Sequence, residues 1–372
     1  MNVALVTPGF SAHERDWCIP ALLELARALA ATCEVTVIAL RYPPRRGAYA
    51  VGTIPVHALG GGTVGGLGRL PLFARALWAL KATPADIYHA YWGDEPGALS
   101  TLAGRLSSRP ALVSLFGGEL VAMPNIGYGG QLSRWNRLLV RITLCCANMI
   151  AVGSRPVAHL VKARGRTKNV VACTLGVNAR RFTPAGERVA LQGRPVLLHV
   201  ASLVPVKDQA TLLGALAALR ARYPRAHLHI VGDGPLRAAL VRLAFRLGVR
   251  DHVTFHGPVA HDRLPPFYRA ADVLVSSSRF ENQSLVILEA AACGTPTAGT
   301  AVGLVPELHE LGVAQSAPPG DPRALADATA RLLEADAVAL ARRSREVIEA
   351  RFSLERTVET LTALYARATR RN

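Results

Sequence analysis

Two α/β domains in succession, each a doubly wound parallel sheet with helices on both faces, are what this sequence predicts. Three observations carry the prediction. Short apolar runs alternate with segments of helical period along the whole chain, the pattern of a parallel sheet buried on both faces. The alternation pauses at Phe182–Arg194, FTPAGERVALQGR, and then restarts. The length of 372 residues is more than one ordinary core accommodates.

In the first half the strand candidates are Val3–Pro8, Val35–Leu40, Asp86–Trp92, Ala111–Phe116, Met149–Gly153 and Val170–Leu175. Helix candidates lie between them at Ile19–Ala31, Arg69–Lys81, Pro96–Arg105 and Ser133–Ala147. In the second half Val196–Ala201, His227–Val231, Val253–His256, Asp272–Ser276 and Thr297–Gly299 read as strands, with helices starting near Gln209, Leu236, Leu264 and Ser284. The stretch 182–194 is polar, contains Gly and Pro and has no sustained period, so it reads as a linker. The expected domains are therefore 1–182 and 195–352. Residues 353–372 form a terminal helix with Leu354, Val358, Leu361 and Tyr365 on one stripe, expected to pack back toward the first domain.

Composition narrows the function classes. Six cysteines are scattered without metal-ligand spacing, which argues against zinc and against a disulfide framework. The start, MNVALVTPGF, is a strand running into a turn and lacks the features of a signal peptide. No uncharged apolar run has the length of a membrane span, and a cytoplasmic location is the expectation. The net charge of +17 is carried almost wholly by arginine. Such a field attracts anions, although an arginine-rich proteome explains the number equally well. Zinc-finger spacing and RNA-binding aromatic signatures are absent, so nucleic acid is not an expected partner. An anionic membrane face or a nucleotide ligand is the better candidate; Arg69–Lys81 and Arg134–Arg141 mix basic and apolar residues as an interfacial helix does.

The chemistry concentrates in Arg279–Pro296, RFENQSLVILEAAACGTP. Ser284 is a good N-cap residue, and Gly294 with Pro296 ends the helix that follows. Glu281 then lies in a loop at the carboxyl end of a strand. Glu289 lies in the second helical turn, leaning back toward the helix start. Both carboxylates are expected to face one small volume, with the amides of Asn282, Gln283, Ser284 and Leu285 between them. Free amides at a helix start bind anions, and carboxylates accept hydrogen bonds from sugar hydroxyls. A Glu assisting the helix dipole is the plainer reading of Glu281. Glu289 sits among Leu285, Val286, Leu288, Ala291 and Ala292, where exposure is not expected.

The pattern Glu281-x7-Glu289 followed by Ala-x-x-Cys-Gly-Thr-Pro resembles the signature of retaining glycosyltransferases of family 4, which have the GT-B fold. Further matches are Val200-Ala-Ser-Leu-Val-Pro-Val-Lys-Asp208, Ile230-Val-Gly-Asp-Gly-Pro235, Phe255-His-Gly-Pro-Val259 and Leu304-Val-Pro-Glu-Leu308. In the first half the resemblance is looser, visible in Ala151-Val-Gly-Ser154 and Leu175-Gly-Val-Asn-Ala-Arg-Arg-Phe182. It implies transfer of a sugar from a nucleotide-diphosphate sugar to a hydroxyl acceptor, with retention of configuration, in a cleft between two Rossmann-like domains.

By that resemblance Glu289 binds the donor ribose, Glu281 a hydroxyl of the transferred sugar, and Lys207 the diphosphate. His256 and Val259 border the nucleotide base. Ser202 stands where relatives often carry Arg, leaving more of the charge compensation to Lys207. Gly232 and Gly234 either let a backbone approach the ligand or simply form a tight turn. On the first domain Gly9 and Phe10 stand where relatives carry a Gly-Gly loop. Phe116, before Gly117, stands where they often carry His, and Glu119 or His89 is expected to compensate. No Asp-x-Asp motif is present, so no metal and no cofactor beyond the co-substrate are expected. A dinucleotide-dependent oxidoreductase is disfavoured, because Pro8-Gly9-Phe10-Ser11 replaces the Gly-x-Gly-x-x-Gly fingerprint. An epimerase-like enzyme of the same architecture, or a binding module without transfer, remains as the alternative.

Overall fold

Burial on both faces is what makes the central strands readable. Ile87–Tyr91 and Ala111–Leu115 are buried at every position, and each is an apolar run broken by one polar residue, His89 or Ser114. The computed structural model describes residues 1–16, 18–62 and 68–370, and these form two compact units. The first comprises Met1–Leu175 and Leu354–Asn372; the second is Gly176–Ser353.

The first unit contains, in chain order, β1 (Asn2–Gly9), α1 (Pro20–Leu29), β2 (Glu34–Tyr42), β3 (Gly47–Val51), β4 (Ile54–Ala58), α2 (Arg69–Ala82) and β5 (Ile87–Tyr91). It continues with α3 (Glu95–Leu106), β6 (Ala111–Leu115), α4 (Arg134–Cys146), β7 (Met149–Val152), α5 (Arg155–Ala163) and β8 (Val170–Ala172). The sheet order is β3-β4-β2-β1-β5-β6-β7-β8. All neighbours are parallel except β3 and β4, an edge hairpin with Val51 opposite Ile54. That hairpin and α5 were missing from the sequence reading. Its strands are short and half-exposed, and only the alternation in β4 marks them.

The second unit runs β9 (Val196–Val200), α6 (Gln209–Leu219), β10 (His227–Val231), α7 (Arg237–Arg246), β11 (Val253–Gly257), α8 (Pro265–Ala270) and β12 (Val273–Ser276). It ends with α9 (Leu285–Ala292), β13 (Thr297–Thr300), α10 (Val305–Glu310), β14 (Ala314–Ala317), α11 (Pro322–Leu333) and α12 (Ala337–Val347). Its six strands are all parallel in the order β11-β10-β9-β12-β13-β14. Order reverses between β9 and β12, and in the first sheet between β1 and β5. Such switch points leave a crevice outside the carboxyl ends of the two strands.

The division of the chain departs from the expected linker at 182–194. Val177 and Phe182 are buried in a core of the second unit with Tyr268 and Phe352, so that core recruits the segment ahead of the polar stretch. Arg269 fixes the polar stretch itself by donating to the carbonyls of Glu187 and Thr183. The last helix, α13 (Leu354–Thr369), belongs to the first unit. Tyr365 on it is fully buried and hydrogen-bonds His89 Nδ1 of β5 at 2.6 Å. Among the described residues no helix is long and apolar enough to cross a membrane.

Candidate functional site

The carboxyl ends of β9, β12 and β13 are neighbours in the second sheet, and their loops are tied to one another. After β9 the chain makes a short turn, Pro205–Lys207, and enters α6 through Asp208 at φ +45°. Asp208 accepts from Thr211 Oγ1 at 2.9 Å and from Arg279 Nε at 3.0 Å. Arg279 N donates to the Val206 carbonyl, and Ser277 Oγ to the Lys207 carbonyl. Thr300 at the end of β13 donates to the Ser278 carbonyl at 2.6 Å. Gly303, at φ +57°, follows; a Cβ there would stand 2.9 Å from that of Glu281, so this close approach requires glycine.

This framework brings Lys207 and Glu281 together. Lys207 Nζ lies 2.5 Å from Glu281 Oε1, and Ser278 Oγ donates to the same oxygen at 2.7 Å. The pair is partly open, with side-chain exposures of 25% for Lys207 and 13% for Glu281. It stands at the switch point between β9 and β12, where a parallel sheet offers its ligand crevice.

Glu289 is placed differently. Its carboxylate, 5% exposed, accepts from Tyr268 Oη at 2.7 Å and lies 2.7 Å from His261 Nε2. Burial, with the Glu289 charge beside it, pushes the Tyr268 hydroxyl pKa well above its ordinary value. The two acids have separate protein partners: Glu281 meets Lys207 and Ser278, and Glu289 meets Tyr268 and His261. The reason is that Tyr268 and His261, ahead of β12, satisfy a helix carboxylate that the interior would otherwise leave bare.

Between the acids, Asn282 and Gln283 are buried, and Leu285 packs on the apolar core. Ser284 holds the N-cap position without capping: its backbone is at φ +67° and ψ 90°, and no side-chain cap bond forms. Its Oγ is buried without a protein partner. A strained residue with an orphan hydroxyl, next to first-turn amides that have no intrahelical acceptor, is the local chemistry of an oxyanion site.

The remaining donor candidates are placed by packing. Gly232 is at φ +130° with its α-carbon against the Ala201 carbonyl, and Gly234 stands likewise against Leu203. Both glycines thus permit a backbone-to-backbone contact, as a tight turn at these positions requires. Ser202 has an exposed side chain; its carbonyl accepts from Gln209 Nε2 at 3.0 Å. His256 Nε2 is 2.9 Å from His229 Nδ1, and burial, then the neighbouring His229, lowers its pKa. Val259 packs on the core. A cavity of about 690 Å³ lies elsewhere, at the amino ends of β9, β12 and β13, lined by Arg188, Arg194, Cys293 and Leu340 among others. None of the proposed donor residues lines it.

In the first unit the expected residues gather at the ends of β1, β5 and β6. Phe10 is buried in the core, and Gly9 is close-packed, a Cβ there lying 3.0 Å from that of Tyr42. Phe116 packs edge-on against Tyr91 and Trp92. Glu119 accepts from the amides of Phe116 at 3.0 Å, Gly117 at 2.8 Å and Gly93 at 3.3 Å. Burial outweighs these bonds and pushes its carboxyl up to about 7. His89 cannot compensate for Phe116: it is fully buried between Tyr365 and Ser114 Oγ, and burial pushes it down to about 3. Sequence reasoning missed Ser278, Asp208 and Arg279, whose only signal was their place beside Glu281 and Lys207.

The two halves of the chain match two family profiles. Residues 19–174 match "Glycosyl transferase 4-like domain", and residues 194–335 match "Glycosyl transferases group 1". A GDP-mannose-dependent alpha-(1-6)-phosphatidylinositol monomannoside mannosyltransferase of Mycobacterium tuberculosis is 40% identical over 146 residues, 36% of this chain and 38% of that protein. D-inositol 3-phosphate glycosyltransferase 2 of Catenulispora acidiphila is 35% identical over 240 residues, 59% of this chain and 56% of that protein. The matches thus span little more than half of these relatives at most. Among solved structures, sucrose-phosphate synthase from Thermosynechococcus elongatus superposes with a TM-score of 0.76 at 25% identity, covering 100% of both chains. Anabaena HepE in complex with UDP and glucose superposes with a TM-score of 0.76 at 20% identity, covering 98% of this chain and 99% of that one. With both halves matched and the architecture shared, the chain belongs to glycosyltransferase family 4 and has the GT-B fold.

Proposed function

We propose that the protein moves a sugar from a nucleotide-diphosphate sugar to a hydroxyl acceptor, with retention of anomeric configuration and without a metal ion. The observation that carries the reading is the Lys207–Glu281 pair at the switch point of the second sheet. A donor diphosphate competes with Glu281 for the Lys207 ammonium. As it does so, Glu281 Oε1 is released to accept a hydrogen bond from a hydroxyl of the transferred sugar. Lys207 then stays with the phosphate as negative charge grows on the departing oxygen, where a preorganised cation contributes most.

Ser284 Oγ and the first-turn amides of α9 supply uncharged donors beside it. Ser278 keeps a hold on Glu281 while Lys207 is engaged elsewhere. The leaving phosphate takes the acceptor proton on the same face of the sugar, so configuration is retained and the protein's part is positioning and charge. Glu289 binds the donor ribose in this reading, which requires His261 to yield one carboxylate oxygen.

The names of the two curated relatives specify GDP-mannose as one donor and inositol-containing acceptors for both. A calorimetric panel of GDP-, UDP- and ADP-sugars, followed by transfer to inositol phosphates and phosphatidylinositol, tests the reading. It expects one donor to bind, Lys207→Ala to weaken that binding, and an α-linked product from an α-linked donor. An inverted product sinks the retention claim, and failure of every donor to bind sinks the whole. Phe116 and Ser202 stand where relatives often carry His and Arg, and this favours a second reading, a binding module without transfer. Tight donor binding without a product on any acceptor identifies it; conversion of the donor to an epimer identifies the epimerase alternative.

A further inference from the structure

We propose that the α2–α4 face of the first unit docks on an anionic lipid bilayer. The two helices are neighbours, with the Phe73 and Trp135 rings in edge contact at 5.7 Å. Neither Arg69–Ala82 nor Arg134–Cys146 contains a single Asp or Glu. The inward stripe of α2 is Leu72, Ala76 and Leu80, as a packed helix requires. Its outward stripe runs Leu70, Ala74, Trp78 and Lys81, with Leu70 56% and Trp78 70% exposed. A helix covered only by water carries polar residues there; this one is apolar on both sides.

On α4 the buried residues are Leu139, Val140, Thr143 and Leu144. Arg134, Arg137, Leu138 and Arg141 face outward, with Leu138 50% exposed. Among the described residues Lys81, Arg134, Arg137 and Arg141 have no carboxylate within ion-pairing distance, so their charge is uncompensated. Outward apolar side chains, an exposed indole and acid-free basic stripes together match the polar–apolar boundary of a bilayer bearing negative headgroups. Charge complementarity decides the occupant: a neutral protein surface answers the leucines and tryptophan but leaves four cations unmatched. The net charge of +17 adds long-range attraction of the same sign. Nothing in this inference depends on the reaction proposed above.

Full-length protein is sedimented with phosphatidylglycerol–phosphatidylcholine vesicles and with phosphatidylcholine alone, at low and high salt. Binding is expected only to the anionic vesicles, and to weaken as salt rises. Arg134→Ser with Arg141→Ser should reduce the partition coefficient roughly thirtyfold, since each near-surface cation contributes about fivefold. The charge-matched pair Arg225→Ser with Arg323→Ser, on exposed positions of the second unit, should leave it close to wild type. Trp78→Ser should weaken binding and abolish a vesicle-induced blue shift of the indole emission. Three outcomes overturn the proposal: no anionic binding at low salt, equal losses from both arginine pairs, or self-association without lipid that Trp78→Ser abolishes.

Discussion

Glu119 and Glu281 each sit on a loop past the carboxyl end of a strand, Glu281 after β12 at its sheet's switch point and Glu119 after β6, one strand from its own, yet their surroundings are opposite. Glu119 is 3% exposed and accepts only backbone amides, so its bonds serve to shape the Phe116–Glu119 turn and to hold Gly93. Glu281 is held by a mobile type of cation and a hydroxyl, both side chains, and is partly open to solvent. A carboxylate surrounded by amides cannot exchange partners without unmaking its turn. One paired with an ammonium can, because a phosphate offers that ammonium an alternative. Position at a strand end therefore does not distinguish a binding acid from a structural one; the identity of its donors does.

The sharpest way to break this comparison is to remove the cation. Lys207→Ala should lower sugar transfer by about 10²–10³-fold, the usual loss when one preorganised charge stabiliser goes. The fold should survive, since the ammonium is partly exposed and Asp208–Arg279 still ties the two loops. Glu281→Gln should cost transfer by a similar order, and the double variant should lose less than the product of the two, because the residues act on one another. Steady-state kinetics with circular dichroism as the folding check decides it. Full activity in Glu281→Gln would erase the distinction from Glu119.

Next in size is Glu289→Ala, which removes the acceptor of the fully buried Tyr268 hydroxyl and of the half-buried His261 Nε2. Loss of that shared acceptor should cost about 2–4 kcal/mol of stability, read from the urea midpoint. Glu289 thus differs from Glu281 in that its loss destabilises the unit as well as the proposed ribose contact. A variant as stable as wild type would show that the carboxylate is not the buried anchor its contacts describe.

How much of this was legible depends on where each signal lies in the sequence. Strands buried on both faces announce themselves as short, largely apolar runs without charged residues other than histidine, which is why β5, β6 and β10 are legible within a residue or two. β14, AQSA, is four residues with two half-buried polar side chains and carries no such run. Lys207 and Glu281 were readable as strand-end residues, but their pairing spans 74 positions and is set by the β9–β12 adjacency. The partners of Glu289 were invisible for the same reason: Tyr268 and His261 come from elements packed beside α9, which periodicity does not reveal. Gly232 and Gly234 were legible only as two alternatives, ligand approach or tight turn, and the contact that requires them, with the loop at Ala201–Leu203, is again non-local.

Glu119 gives the comparison a pH axis. Its folded pKa, raised by burial to about 7 from an ordinary 4.5, means the native state favours the protonated acid. The stability it contributes is present below pH 4.5 and is lost as pH rises through 7. Glu119→Gln removes the titration while keeping the shape. The stability difference between wild type and variant should therefore shift against wild type by about 2–3 kcal/mol between pH 4.5 and 8. Urea unfolding at several pH values measures it, and a difference independent of pH would mean that the amide bonds offset burial in full.

The smallest expected effect lies in the His89–Tyr365 contact, which ties the last helix to β5. Tyr365→Phe leaves the ring packing intact and removes only the hydroxyl, so the cost should be about 1–2 kcal/mol, that of one buried nitrogen losing its partner. His89 titrates with the opposite sign to Glu119. Burial depresses it to about 3, so its stability contribution is present above the ordinary 6.5 and is lost as pH falls toward 3. Replacing the tyrosine hydroxyl should leave that acid limb in place, because desolvation sets it and the hydrogen bond does not. Replacing the imidazole, as in His89→Gln, should flatten it. An acid limb that disappears in Tyr365→Phe would show that the hydroxyl, and with it the docking of the last helix, holds the histidine neutral.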